Sequence, residues 1–327
     1  MTDAGPVPGR SLPTSARAPG KCVLFGEHAV VHGAPELVLA IDLHTQAVVS
    51  RSDRSRLNAE PDAETQNPYF REALAAAGPA AGPVDVRTVS RIPRSAGLGS
   101  SAAFVAAVSA ALAAGVGGLD RPALAQRCFS IERSAQGVGS PGDTSTSVAG
   151  GYVTLNAGAS GGPLLWTVRE GNESWEVRRA EDPGWSWVVA YSGIPRSTAD
   201  AVRAVSARLH QPDGASLLAE FTSVAEAGIH AVTGGDRQET GRWLRRNQEL
   251  LREVGVSHPR LEALLEAAAP ASEGAKLTGA GCGGSIVALP IAGREVELVR
   301  RLARAGAVPF PARPAPGVEL VELGRSP

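Results

Sequence analysis

The stretch IPRSAGLGSSAAF, residues 92 to 104, combines two close glycines and the adjacent serines Ser100 and Ser101 with the start of an alanine-rich apolar run. Glycines lack a Cβ atom, so successive backbone N–H groups can point at one anion. A helix that begins near Ser100 would add free N–H groups and the positive end of its dipole. The hydroxyls of Ser100 and Ser101 can contact a phosphate or a magnesium ion. The stretch therefore predicts a phosphate cradle, and the alternative is a serine cap on a tight turn.

The same residues fit the dinucleotide pattern G-x-G-x-x-A, from Gly97 to Ala102. In that pattern the first glycine directly follows an apolar strand, and an acidic residue ends a second strand about 20 residues later. Here PRSA stands before Gly97, and the nearest acidic candidate, Asp120, lies in a turn between two predicted helices. The ATP-binding pattern G-x-x-x-x-G-K-[ST] is also absent from the sequence. The context argues against a dinucleotide.

The basic residues are distributed unevenly between the two residue types. The chain has 32 lysines and arginines, of which only Lys21 and Lys276 are lysines. Both flank glycine-rich stretches, PGKCVLFGEH and GAKLTGAGCGGS. Where arginine occupies nearly every basic position, a remaining lysine indicates a site that a bulky planar guanidinium cannot fill. The alternative is drift in an arginine-rich chain.

The composition excludes several classes of function. The chain has 327 residues, of which 43% are hydrophobic, and a net charge of −1. This balance gives no electrostatic reason to expect nucleic acid or an anionic membrane as a partner. No apolar run approaches the roughly 20 residues of a membrane span. Cys22, Cys128 and Cys282 are far apart and odd in number, so we expect no disulfide framework and a reducing, cytoplasmic location.

The elements that must position these residues follow from hydrophobic patterning. Residues 100 to about 114 predict a buried helix, and VDVRTVSRI predicts the strand that leads into the cradle. Strands and helices mix without regular βαβ repetition, which favours an α+β fold. Further strands and helices are predicted at KCVLF, LVLAIDLHTQAVVS, GGYVTLN, WSWVVAYSG and GVELVEL, and at DRPALAQRCFSIERSAQ, STADAVRAVSARL, GASLLAEFTSVAEAGIHAV, RLEALLEAAA and GREVELVRRLARA.

The predicted organisation has three parts. Residues 1–15 have no apolar core segment, which excludes a signal peptide, and they predict a disordered leader. Residues 16–182 form the predicted N-terminal, nucleotide-binding domain, and residues 183–327 form the predicted C-terminal domain. The boundary is placed near Asp182, after a glycine-rich and then polar segment.

Three motifs occur in order: APGKCVLFGEHAVVHG, IPRSAGLGSSAAF and KLTGAGCGGS. They resemble the signature motifs of the GHMP kinases, the superfamily of galactokinase and of homoserine, mevalonate and phosphomevalonate kinases. The opening PGKCVLFGEHAVVHGAPELVLAID, with SGIPRSTADAVRAV and NQELLREVGVSHPRLEALL, resembles the mevalonate kinase family over about residues 18–285. The segment QGVGSPGDTSTSVAGG departs from the NPSGVDN form of the animal enzymes and is closer to the archaeal type.

The resemblance implies a two-domain GHMP kinase fold, with an N-terminal domain like ribosomal protein S5 domain 2 and a ferredoxin-like C-terminal domain. It implies ATP-dependent phosphorylation of the 5-hydroxyl of mevalonate to 5-phosphomevalonate in isoprenoid biosynthesis, with ATP as co-substrate and Mg²⁺ as cofactor. Dimers are common in the family, so a homodimer is one expectation. Two alternatives stay open: another GHMP kinase that acts on phosphomevalonate, homoserine or a sugar, and a non-catalytic ligand-binding protein of the same fold.

The resemblance also implies roles for particular residues. The β- and γ-phosphates of ATP would be held by Ser95, Ala96, Gly97, Leu98, Gly99, Ser100 and Ser101. Ser101 and Glu132 would bind Mg²⁺, since this hard cation prefers oxygen. Asp143, eleven residues after Glu132 and in a predicted loop, would accept the proton of the substrate hydroxyl. The ammonium of Lys21 would lie near Asp143 and the γ-phosphate.

The acceptor substrate would be bound by a second set of residues. Glu27 and His28 follow the first strand and would face the substrate. Thr198 matches a residue of the family's active site, with a plain helix cap as the alternative. The substrate needs one cation at its carboxylate end, so we predict that Arg196 pairs with the carboxylate of mevalonate.

Overall fold

A computed structural model describes residues 12–60, 66–114, 119–137, 139–196 and 198–322. It confirms the predicted α+β class, since two separate sheets carry helices on their faces. Within these ranges, every helix is too short or too polar to cross a lipid bilayer.

The first sheet gathers eight strands and four helices. Its strands are β1 (Thr14–Phe25), β2 (Glu36–Arg51), β3 (Arg56–Leu57), β4 (Val84–Ser90), β5 (Tyr152–Leu155), β6 (Leu164–Glu170), β7 (Glu173–Arg179) and β12 (Glu319–Leu320). They follow the order β12-β1-β2-β5-β7-β6, with β4 paired to β2 and β3 paired to β4. The helices are α1 (Pro68–Ala77), α2 (Ser100–Ala114), α3 (Arg121–Gln136) and α4 (Gly142–Ala149).

The second sheet has four strands in the order β11-β8-β10-β9, all antiparallel. They are β8 (Trp187–Tyr191), β9 (Ser272–Thr278), β10 (Ser285–Pro290) and β11 (Val308–Ala312). The accompanying helices are α5 (Thr198–Leu209), α6 (Gly214–Thr233), α7 (Arg237–Glu253), α8 (Pro259–Ala268) and α9 (Glu295–Arg304).

Helix α2 fixes the position of the cradle. Its alanines and valines are buried almost throughout, and it lies against β1 and β2. Small side chains allow this close approach of a helix to two strands. Because α2 begins at Ser100, its first turn opens directly after the glycine-containing stretch, as predicted.

The structure shortens the predicted leader and extends the first sheet. Thr14 and Ser15 are buried residues of β1, so the leader cannot reach residue 15; residues 1–11 lie outside the described residues. The predicted boundary near Asp182 lies between β7 and β8 and stays a prediction. Strand β12 pairs with β1, which returns the end of the chain from the second sheet to the first.

This returning segment, the residues around Val318 that lead into β12, is hydrogen-bonded to helix α4. The N–H of Val318 donates to the carbonyl of Ser147 over 3.0 Å. The guanidinium of Arg121 joins the two segments, with donors 2.5 Å from the Val148 carbonyl and 3.0 Å from the Val318 carbonyl. Arg179 donates to the carbonyls of Ala149 and Gly150 at the end of the same helix. These donors satisfy carbonyls that a helix C-terminus leaves free.

Candidate active site

The predicted phosphate cradle is a loop with three residues in left-handed backbone conformation. The φ angles are 55° at Ser95, 84° at Gly97 and 71° at Gly99. Both glycines are also needed for space. A Cβ at Gly97 would lie 2.9 Å from the carbonyl oxygen of Thr278, and one at Gly99 would lie 2.8 Å from Cγ of Lys21. The loop can therefore approach both neighbours only without side chains at these positions.

Two residues in or beside the second sheet donate hydrogen bonds to this loop: Ser285, at the end of the third glycine-rich motif, and Arg196. The hydroxyl of Ser285 donates to the carbonyl of Ala96 over 2.8 Å. The backbone N–H of Arg196 donates to the carbonyl of Ser95 over 2.9 Å. The side chains of Ala96 and Leu98 are buried, so the loop presents mainly backbone and the hydroxyls at the start of α2.

Lys21 and Asp143 form an ion pair beside the loop. The Nζ atom of Lys21 lies 2.8 Å from Oδ1 of Asp143. The Lys21 side chain is 2% exposed, whereas that of Asp143 is 29% exposed. The loop prediction for Asp143 was wrong, because the residue lies in the first turn of α4. There the positive end of the helix dipole favours a carboxylate.

Ser101 and Glu132 form a second polar contact at the cradle. The hydroxyl of Ser101 donates to Oε1 of Glu132 over 2.7 Å, and Gln136 reaches the same oxygen over 3.3 Å. Burial, assisted by the charge of Asp143, raises the pKa of Glu132 to about 7. In the described ranges no three His, Cys, Asp or Glu side chains form a metal cluster by themselves. Ser101 and Glu132 supply two oxygen donors, which suit a cation that also takes phosphate and water ligands.

Glu27 and His28 lie where β1 ends, but they contact the second sheet. One carboxylate oxygen of the buried Glu27 pairs with Nζ of Lys276, and the other has no hydrogen-bond partner among the residues that the structure describes. The half-buried His28 has Nε2 3.0 Å from the Ala280 carbonyl, which identifies Nε2 as the donor. Burial lowers the pKa of His28 to about 4. The predicted substrate contacts of both residues stay predictions.

The Lys276–Glu27 pair joins the two sheets through their buried interior. Burial raises the pKa of Glu27 and lowers that of Lys276, and the contact between the two residues opposes both shifts. Nearby, the hydroxyl of Thr278 donates to the Val23 carbonyl over 3.0 Å. The pair therefore fixes the relative position of β1 and β9 at the site.

Replacement of Lys276 by Met is expected to lower the free energy of unfolding by about 3–5 kcal/mol, because it leaves the buried Glu27 charge uncompensated. Urea unfolding followed by circular dichroism measures this loss. The control is Arg17→Met, which breaks an exposed pair with Glu319 and should cost about 0–1 kcal/mol. If the two variants lose the same free energy of unfolding, the buried Lys276–Glu27 pair stabilises the fold no more than an exposed pair does.

Two cavities meet beside the Lys21–Asp143 and Ser101–Glu132 contacts. A cavity of about 630 Å³ follows the cradle, and a cavity of about 480 Å³ contains Lys21 and Asp143. Both are lined by Ser101, Gln136 and Arg196. Thr198 is the first residue of α5, and its side chain lies outside the described residues. The two cavities therefore adjoin at these shared residues, and the Lys21–Asp143 ion pair lies in the smaller one.

Sequence reasoning missed two residues and one contact that shape this site. Glu36 is buried in the wall of the smaller cavity, and Tyr69 contacts Ser101 and Gln136 from α1. Lys276 was singled out for its rarity, but its pairing with Glu27 was not predicted. A charged residue at the start of an otherwise apolar strand, as in PELVLAID, is the signal that could have revealed Glu36.

Comparison with known proteins shows the family to which this chain belongs. Models of the GHMP kinase N-terminal and C-terminal domains match residues 68–151 and 225–308, so the chain is a GHMP kinase by family. It is 33% identical to a mevalonate kinase of Archaeoglobus fulgidus, over 84% of this chain and 91% of the relative. It is 31% identical to one of Methanothermobacter thermautotrophicus, over 85% and 90%. The chain belongs to the mevalonate kinase family.

A solved structure extends the likeness to the fold. The crystal structure of the L. major mevalonate kinase in complex with R-mevalonate matches with a TM-score of 0.74 at 23% identity. The match covers 97% of this chain and all of that one. The predicted two-domain GHMP kinase fold is thereby confirmed.

Proposed function

We propose that this chain transfers the γ-phosphoryl group of ATP to the 5-hydroxyl of mevalonate in the cytoplasm, giving 5-phosphomevalonate and ADP. The observation that carries the proposal is the Lys21–Asp143 ion pair, which lies in the smaller cavity beside the phosphate cradle. We assign this smaller cavity to the acceptor substrate. The relatives named mevalonate kinase, about 30% identical over most of the chain, support mevalonate as the acceptor.

The proposed mechanism relies on positioning and charge more than on covalent chemistry. Asp143 accepts the proton of the 5-hydroxyl of mevalonate while the hydroxyl oxygen forms a bond to the γ-phosphorus of ATP. The bond from that phosphorus to the bridging β-phosphate oxygen breaks, and ADP leaves with the electron pair. The ammonium of Lys21 stabilises the negative charge on the transferring group. Backbone N–H groups of the cradle and the start of α2 hold the phosphates.

Ser101 and Glu132 fit the proposed magnesium site, because they offer two adjacent oxygens at the start of α2 and the facing side of α3. When bound, Mg²⁺ neutralises phosphate charge and orients the triphosphate. The hydroxyl of Ser101 donates to Glu132 over 2.7 Å, so the two oxygens lie next to each other.

Arg196 is the proposed cation for the carboxylate of mevalonate. It lies at the junction of the two cavities, close to Gly279 and Gly97. Arg196→Gln should raise KM for mevalonate about 10- to 100-fold, the effect of losing a charge-assisted hydrogen bond. Steady-state kinetics with both substrates checks this. Arg203→Gln, on the exposed side of α5, is the matched control. An unchanged KM for mevalonate would refute this role, and a rise in KM for ATP alone would assign Arg196 to the nucleotide.

The test of the function is a magnesium-dependent assay of ADP release with mevalonate, phosphomevalonate, homoserine and galactose side by side. Turnover with mevalonate alone supports the proposal. Turnover with another acceptor keeps the kinase mechanism and replaces the acceptor. ATP binding without any turnover would favour the non-catalytic alternative. Light scattering on the same preparation tests the homodimer that the family resemblance suggests.

A further inference from the structure

Glu36 lies against the turn that carries Asp143. It is the first residue of β2 and is 4% exposed. The hydroxyl of Ser140 lies 3.5 Å from Oε2 of Glu36 and donates toward it. The same oxygen packs on the Cα atom of Gly142, where a Cβ would collide with it. Since Gly142 directly precedes Asp143, the Glu36 carboxyl supports the backbone from which Asp143 projects.

Among the described parts of the chain, no cation forms an ion pair with Glu36. Lys21 and Glu27 face it from β1 and the residues after it, and Asp143 faces it from α4. The ammonium of Lys21 already contacts Asp143, and that of Lys276 on β9 contacts Glu27.

Across the same cavity lie Glu132 on α3, the half-buried His28 and the guanidinium of Arg196. Burial and neighbouring carboxylates both disfavour a further negative charge. Burial, assisted by the charge of Asp143, raises the pKa of Glu36 to about 8.

We propose that Glu36 is a positioning residue whose neutral carboxyl braces the Ser140–Gly142 turn and leaves the Lys21 ammonium to Asp143. The inference rests on the proposed phosphoryl transfer, because it concerns the same ion pair. No bond to the substrate forms or breaks at Glu36; the residue acts through Asp143.

The protonation state of Glu36 then sets an alkaline limit to activity. Below about pH 8 the carboxyl is neutral and the ion pair is undisturbed. Above that pH Glu36 becomes a second carboxylate beside Lys21, competes for its ammonium and repels Asp143. The expected profile is a decline in kcat on the alkaline side that originates in Glu36.

Three variants test this inference. Glu36→Gln keeps the size of the side chain and is permanently neutral, so kcat at neutral pH should stay near the wild-type value and the alkaline decline near pH 8 should disappear. Glu36→Ala removes the brace and should lower kcat by about 10- to 100-fold, the cost of a small misplacement of a catalytic group. Glu226→Gln, the same chemical change on an exposed face of α6, should retain the wild-type profile.

A second measurement requires no substrate. The infrared difference spectrum of wild type minus Glu36→Gln should contain the stretching band of a protonated carboxyl at neutral pH, and the band should vanish above about pH 8. Absence of the band at neutral pH would overturn the inference. So would a Gln variant as impaired as the Ala variant, or an alkaline decline that persists in Glu36→Gln.

The two proposals fail separately. If the wild type does not phosphorylate mevalonate but the band is present, the acceptor assignment is wrong and the neutral carboxyl stands. The pH profile is then decided with the acceptor that the substrate comparison identifies. Circular dichroism of each variant separates a loss of fold from a loss of positioning.

Discussion

Asp143→Asn should lower kcat for mevalonate phosphorylation by about 10²- to 10⁴-fold, the usual contribution of a positioned general base. An amide cannot accept the proton of the substrate hydroxyl, although it occupies the same space in the lining of the cavity. The side chain is 29% exposed and lies in the first turn of α4, so the fold should persist, but stability should fall because the 2% exposed Lys21 loses its counter-charge. Single-turnover measurements of phosphoryl transfer check the effect on the chemical step.

The control for this experiment is Asp213→Asn, which alters an exposed carboxylate paired with Arg208 on the second domain. Its kcat should equal that of the wild type. KM for ATP should change little in Asp143→Asn, because the cradle is formed by backbone and by the hydroxyls of α2. Near-normal turnover of Asp143→Asn would refute the assignment of the base and leave Lys21 as an electrostatic group only.

The backbone conformation of the cradle loop was predictable from sequence because its signal is local. Gly97, Gly99 and the serines Ser100 and Ser101 stand next to a run dominated by apolar residues, and such a run indicates a buried helix. The structure places the start of α2 at Ser100 and both glycines in left-handed conformation. In this case the sequence neighbours are also the spatial neighbours, so one stretch contains the necessary information.

Helix α4 was not predictable in the same way. Its sequence GDTSTSVA begins with glycine and is rich in serine and threonine, and all three are weak helix formers. The helix is held instead by Arg121, Arg179 and the returning segment at Val318, all distant in sequence. The helical environment of Asp143 therefore depends on tertiary contacts that no local pattern reports.

Other omissions had signals of a weaker kind. Helix α7 begins after Asp236, whose side chain caps the Glu239 N–H, a common start signal. Helix α1 follows the cap Asn67 and opens with Pro68. Strand β11, with the sequence VPFPA, contains two prolines and is tolerated because it lies at the edge of its sheet. The Lys276–Glu27 contact spans 249 positions and has no local signal at all.

The rarity of lysine supported the second major prediction, which concerns Lys21. Lys21→Met should lower kcat by about 10²- to 10³-fold, the typical effect of removing one group that stabilises transition-state charge. The loss of stability should be smaller than for Lys276→Met, because water can reach the partner Asp143 but not Glu27. Rapid-quench kinetics and urea unfolding on the same variants measure the two effects.

Lys21→Arg decides whether charge alone is sufficient. A Cβ at Gly99 would approach Cγ of Lys21 to 2.8 Å and Cε to 3.3 Å, so the stem lies tightly under the cradle. A planar guanidinium is larger and needs a fork of partners, whereas Asp143 offers a single contact at 2.8 Å. We therefore expect Lys21→Arg to be nearly as inactive as Lys21→Met. Recovery of activity would show that the site requires a positive charge and not an ammonium.

The double variant Lys21→Met with Asp143→Asn completes the argument. Groups that act as a unit lose most of their effect when either one is removed. The double variant should therefore be about as slow as the slower single variant, and not slower by the product of the two factors. If the two losses multiply, Lys21 and Asp143 act independently, and the contact at 2.8 Å has no role in the reaction.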